Sequence, residues 1–191
     1  MNDPAEIVPL LFLGSRIAAN NRDLLISKGI KYIINAAVEI PNYFHEENYF
    51  TYYRLDLDDD SEVSIASHLE GVISVINKAS AENVGVLVHC QAGISRSATY
   101  VIYYLMKVKG MTLKDAYEHT KGKRYNIGPN VGFMSQLVEL EKQLFNSNSM
   151  DSKTYFLQTL CDMGFDSQAA AKALEQTQYN FDLAVNYLLS Q

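Results

Sequence analysis

The chain has 191 residues, a length that suits one domain or one domain with a small companion. Hydrophobic residues make up 48% and charged residues 20%, which excludes wholesale disorder and collagen-like structure. There are 16 basic and 22 acidic side chains, the net charge is −6 and the pI is near 5.2, so no nucleic-acid partner is expected.

The N-terminus, Met1-Asn2-Asp3-Pro4, has no basic region, so no secretory signal is expected there, and Asn at position 2 excludes N-myristoylation. No apolar run approaches the roughly 18 residues of a membrane helix, and no membrane partner is expected. Ile7 to Leu13 is apolar but interrupted by Pro9, the pattern of a short edge strand. Asn20 to Lys28 predicts a short helix that Gly29 ends, and Tyr32 to Asn35 a strand. Pro41 to Asn48 is polar and aromatic, a loop. Thr51 to Leu57 alternates like a strand, and an acidic turn, Asp58-Asp59-Asp60-Ser61-Glu62, follows. Ser64 to Ser80 has helical spacing with Ser64 as cap. Gly85 to His89 is a β-branched run typical of a buried central strand. Further helices are expected over Ala98 to Val108, Thr112 to Thr120 (capped by Thr112) and Gly132 to Phe145. Asn146-Ser147-Asn148-Ser149 reads as a linker, and residues 151–191 hold three short apolar-periodic segments, the second capped by Asp166 or Ser167 and the third by Asn180. Each part carries a charge of −3: 14 basic against 17 acidic up to residue 150, and 2 against 5 after it. The two cysteines, Cys90 and Cys161, are too few for a disulfide scaffold and point to a reducing compartment, cytoplasmic or nuclear.

The informative segment is His89-Cys90-Gln91-Ala92-Gly93-Ile94-Ser95-Arg96-Ser97. A cysteine ends a buried strand, and six residues on an arginine opens a helix. Loop amides and helix dipole then form an anion cradle over Gln91, Ala92, Gly93, Ile94 and Ser95. Arg96 can fork two hydrogen bonds onto a phosphate. The same field stabilises a thiolate, making Cys90 a nucleophile for phosphoryl transfer, with His89 and Ser97 placed to tune it. Such a site needs no metal and no cofactor.

This stretch resembles the pattern His-Cys-x-x-Gly-x-x-Arg-Ser/Thr of cysteine-dependent phosphatases, and Cys90 through Thr99 resembles their dual-specificity branch. The likeness extends to Leu11-Phe-Leu-Gly-Ser15, to Gly29 through Asn35 and to Ile127-Gly-Pro-Asn130 with Phe133 through Leu137. It implies the dual-specificity phosphatase fold, a central mostly parallel sheet flanked by helices, over residues 1–146. It also implies a two-step reaction: Cys90 becomes a phosphocysteine, an aspartate is acid and then base, and Ser97 assists departure of the thiolate. In the family the acid lies six residues before the Ile-like residue entering the next helix, which selects Asp59, with Asp58 the runner-up. The chain has no Trp, which the acid loop of tyrosine-specific members carries, and its loop has none of the lysines of lipid phosphatases. Phosphotyrosine and phosphoserine/phosphothreonine proteins are the expected substrates. The alternatives are a silent phospho- and ubiquitin-binding scaffold, or a phosphatase for lipid or RNA-end phosphates. Lys121, Lys123 and Arg124 could bind a second phosphate or form a solvated helix end.

After a linker at residues 147–150, residues 151–191 resemble a ubiquitin-associated domain, through Met163-Gly164-Phe165 and the ending Asn180 to Leu189. The resemblance implies a small all-α three-helix domain with a ubiquitin-binding patch of Met163, Gly164, Phe165, Leu188 and Leu189, and so ubiquitin as a partner. Cys161 is expected as a structural thiol.

Overall fold

The computed structural model describes residues 3–191, so the reading of Met1 and Asn2 lies outside the described residues. Five strands form one sheet in the order β1-β2-β5-β3-β4. They are β1 (Ala5–Val8), β2 (Leu11–Gly14), β3 (Ile30–Asn35), β4 (Thr51–Arg54) and β5 (Gly85–His89). Only the β1–β2 pair is antiparallel; β2–β5, β5–β3 and β3–β4 are parallel. The apolar run around Pro9 is therefore two strands, joined by a tight turn in which Leu10 has a φ of 68°.

Side chains alternate across the sheet with a period of two, apart from an irregularity in β3 between Ile30 and Tyr32 that puts these two on opposite faces. Leu11, Leu13, Tyr32, Ile34, Val86 and Val88 face one core with α3 (Leu69–Ala81) and α4 (Arg96–Lys109). Phe12, Ile30, Ile33 and Leu87 face a second core with Ala19 of α1 (Arg16–Ala19), Leu25 of α2 (Arg22–Ser27) and Phe50. Strand β5 lies at the centre, buried on both faces along its whole length, which is why its sequence is a continuous apolar run.

Helices α5 (Leu113–Lys123) and α6 (Val131–Phe145) pack outside α4. Thr112 caps α5 and Asn130 caps α6, each side chain accepting from an amide three residues on. The helix expected from Ser64 begins later: residues 66–68 form a 3₁₀ turn that leads into α3. The strand expected over Thr51 to Leu57 ends at Arg54, whose side chain turns back to hold a neighbouring loop.

The C-terminal helices are α7 (Ser152–Asp162), α8 (Ser167–Gln176) and α9 (Phe181–Leu189). Asp151, Asp166 and Asn180 cap them, each cap contributing about 1 kcal/mol. A separate core of Leu160, Ala170, Ala173, Leu174 and Ala184 holds them together, with Phe156, Phe165 and Phe181 around it. The turn after α7 uses Gly164 at a φ of 98°, which only glycine adopts readily. Tyr155 reaches out of this unit and packs against the core of the larger domain.

Candidate active site

Cys90 follows directly on β5, the middle strand, and the loop Gln91–Ser95 carries the chain into α4. The loop carbonyls are drawn outward one after another. Gln91 O accepts from Arg16 N at 3.2 Å, and Ala92 O and Gly93 O accept from Nη2 and Nε of Arg124 at 3.0 and 2.9 Å. Ile94 O accepts from Gly128 N at 3.0 Å. In a planar trans peptide the N–H points opposite to the C=O. The amides of Ala92, Gly93, Ile94 and Ser95 therefore turn to the inner side of the loop. Among the described residues they make no hydrogen bond there. They form a ring of donors at the N-terminus of a 14-residue helix, an arrangement suited to a tetrahedral oxyanion. Gly93 is indispensable to it: its φ is 68°, and a Cβ would lie 2.5 Å from Gly14 O.

Cys90 is 2% exposed, and its sulfur accepts from Ser97 Oγ at 3.2 Å. The His89 ring, fully buried, lies beside the Cys90 carbonyl, with Nδ1 at 3.5 Å. Burial pushes its pKa down to about 4, so the imidazole is neutral near pH 7.

Arg96, the first residue of α4, is 5% exposed. Nη1 and Nη2 donate to the two oxygens of Glu39 at 2.7 and 2.5 Å, and Nη1 also reaches Leu57 O. Burial works against the guanidinium charge, but Glu39 and the other acidic neighbours outweigh it and raise the Arg96 pKa further. The Arg96 hydrogen bond holds the Glu39 carboxyl below its ordinary value. Arg96 Nε is buried and has no hydrogen-bond partner among the described residues. Glu39 is aimed by Arg54, which donates to the carbonyls on either side of it, Val38 O and Ile40 O. Asn35 shapes the same loop through Ile40 O and Ala37 N.

Asp59 closes the mouth. Its Oδ1 accepts from Ser95 Oγ at 2.6 Å and from Asn130 Nδ2 at 2.9 Å. Its Oδ2 lies 3.9 Å from Arg96 Nε. Asp58 is exposed, Asp60 caps the turn through Glu62 N, and Asp56 pairs with Arg54. The acidic loop docks on α6: Gln136 bonds Ile65 N and Val63 O, and Gly132 lies against Ser61.

Cys90, Ser97, Arg96, Asp59 and the 91–95 loop thus converge. Arg124 does not join Lys121 and Lys123 at the surface. It is 3% exposed and turns inward behind the phosphate loop, where Nη1 also meets Asp3 at 3.1 Å. Asp3 in turn binds the amide and hydroxyl of Ser15. Arg124 thus braces the loop and is neither a second-phosphate ligand nor a solvated helix end, while Glu39, Arg54 and the side chain of Asn130 are site residues that the sequence pattern does not single out. Asn130 alone had a local signal, its N-cap position before α6. In the C-terminal domain Met163 and Leu189 are 54% and 71% exposed and Gly164 is open, whereas Phe165 and Leu188 pack partly into the small core.

The family model of the dual specificity phosphatase catalytic domain matches residues 11–143, and that of the UBA/TS-N domain matches residues 157–188. Dual specificity protein phosphatase 14 of Homo sapiens is 42% identical over 146 residues, which is 76% of this chain and 73% of that protein. Dual specificity protein phosphatase 7 of Rattus norvegicus is 40% identical over 151 residues, 79% of this chain but 36% of the longer relative. The chain thus spans less than two fifths of several of its curated relatives. Among solved structures, human DUSP28 superimposes with a TM-score of 0.71 at 30% identity, covering 75% of this chain and 96% of that one. With the cysteine, the arginine and the inward-facing loop in one place, the chain belongs to the dual specificity phosphatase family and carries a ubiquitin-associated domain behind the catalytic one.

Proposed function

We propose that the chain hydrolyses phosphotyrosine and phosphoserine/phosphothreonine in proteins through a phosphocysteine. The observation that carries this is the set of amides turned inward around the Cys90 sulfur. Cys90 Sγ attacks phosphorus while the bond to the leaving oxygen breaks, and Asp59 delivers its proton to that oxygen. The loop amides and Arg96 Nε hold the equatorial oxygens as charge shifts onto them. Water then attacks the phosphocysteine and passes a proton to the Asp59 carboxylate. The S–P bond breaks, and Ser97 Oγ–H donates to the departing thiolate. An uncharged loop interior of Gln91, Ala92, Ile94 and Ser95 favours phosphate on protein side chains over inositol lipids.

The test is hydrolysis of p-nitrophenyl phosphate by wild type and Cys90→Ser between about pH 5 and 8. Turnover that vanishes in the variant supports the reading; no turnover by the reduced wild type turns it toward a scaffold. Asp59→Asn against Asp58→Asn assigns the acid.

The exposed Met163, Gly164 and Leu189 support recruitment to ubiquitin, with the −3 charge of residues 151–191 complementing a basic partner face. Isotope-labelled ubiquitin titrated with the full chain is expected to show localised shifts that Met163→Ala weakens. Unchanged spectra at millimolar concentration would remove ubiquitin as the partner.

A further inference from the structure

We propose that Tyr155, on the first helix of the C-terminal domain, is a positioning residue for proton transfer at the phosphatase site. This rests on the reading of Asp59 as the acid. The Tyr155 hydroxyl donates to Pro129 O at 2.6 Å. Its ring stands edge-on to Tyr117 of α5, with centroids 6.1 Å apart, so the ring is anchored as well as the hydroxyl. Burial raises the Tyr155 pKa, so the hydroxyl remains a donor at any pH used for assay.

Pro129 is the middle of a three-residue segment that touches both halves of the site. On one side Gly128 N holds the phosphate loop at Ile94 O. On the other, Asn130 N donates to Ser95 Oγ at 3.0 Å, and Asn130 Nδ2 donates to Asp59 Oδ1. Asn130 Oδ1 is committed to capping α6 at Phe133 N. The Asn130 amide group is thereby oriented from both ends, and its NH₂ points at the carboxyl. Ser95 Oγ–H donates to the same Oδ1. Two donors on Oδ1 leave Oδ2 as the oxygen that carries the transferable proton. A single hydroxyl from the C-terminal domain thus bears on the segment that selects which Asp59 oxygen is the acid. The two domains also share a groove of about 880 Å³ here, lined by Ser61 and Asn130 on one side and Tyr155 and Phe181 on the other.

The consequence differs from simple adhesion between domains. A misplaced acid matters most when the leaving oxygen is basic and little when it is a stable phenolate. Tyr155→Phe keeps the ring and removes one oxygen. It is expected to lower kcat/KM, which reports the step in which the leaving oxygen departs, about 5-fold more on phenyl phosphate than on p-nitrophenyl phosphate, the same direction as Asp59→Asn but smaller. In the Asp59→Asn background, Tyr155→Phe should change neither rate appreciably, because the group it positions is gone. Equal losses on both substrates, no loss, or a loss that persists beside Asp59→Asn would overturn the proposal. If Asp59→Asn does not itself steepen the leaving-group dependence, the acid assignment falls and this proposal with it. If Asp59→Asn does and Tyr155→Phe does not, only the role of Tyr155 falls.

Discussion

Glu39 grips both terminal nitrogens of Arg96 and leaves Nε as the guanidinium nitrogen with no hydrogen-bond acceptor among the described residues, only the Asp59 carboxylate at 3.9 Å. The carboxylate does not compete for the phosphate; it sets the plane in which the guanidinium meets it. Glu39→Gln retains an acceptor but loses the charge and one prong of the fork. We expect kcat/KM on p-nitrophenyl phosphate to fall about 10-fold, without the complete loss expected of Cys90→Ser. Steady-state kinetics of the two variants side by side check this, and an unchanged kcat/KM would show that Arg96 is held without Glu39.

Arg124 is the counterpart behind the loop. It donates to two loop carbonyls and to Asp3, all from within the protein. Lysine cannot reproduce that planar fork. Arg124→Lys is expected to cost about 3 kcal/mol in urea unfolding, since at least one buried carbonyl loses its partner next to a displaced charge. Tungstate binding should weaken in the same variant, because the loop amides lose the brace that turns them inward.

Gly132 gives a way to move the acid without touching it. A Cβ there would lie 1.9 Å from Ser61 O, in the loop that carries Asp59. Gly132→Ala forces that loop off α6, and kcat on phenyl phosphate is expected to drop about 10-fold or more. The drop on p-nitrophenyl phosphate should be smaller, and thermal unfolding should remain a single cooperative transition. Equal activity on both substrates would mean that the loop re-docks.

His89 makes stability depend on pH. Its folded pKa of about 4 lies below the ordinary 6.5, so between these values the unfolded chain binds the extra proton. Stability therefore rises with pH across this window and is lost as pH falls through it, by about 3 kcal/mol in total. Urea unfolding from about pH 4 to 7 reads the slope. His89→Gln should flatten it, and identical slopes would assign the acid sensitivity to another group.

What was legible in the sequence follows from distance along the chain. The phosphate loop is contiguous, so nucleophile, arginine and hydroxyl could be read together, as could the helix caps Thr112 and Asn180. Glu39 and Arg54 come from a loop and a strand end that nothing local ties to Arg96. Their roles exist only once β3 lies between β4 and β5. Arg124 followed two exposed lysine-bearing turns and looked like their continuation. At the helix end its φ of −139° swings it inward, a change no periodicity encodes. The strand ending at Arg54 and the late start of α3 have a similar cause, since side-chain bonds to distant backbone override local propensity.

The position of β5 also sets an order of assembly. Strand β2 pairs with β5 and not with β3, its neighbour in the chain, so Leu11 finds its in-sheet partner Val86 only after most of the domain has been synthesised. Until Gly85–His89 leaves the ribosome, nothing in the sheet joins β1–β2 to β3–β4. The closing strand is the one that delivers Cys90. Completion of the sheet and delivery of the nucleophile are therefore one late, long-range folding event, and shorter nascent chains hold neither.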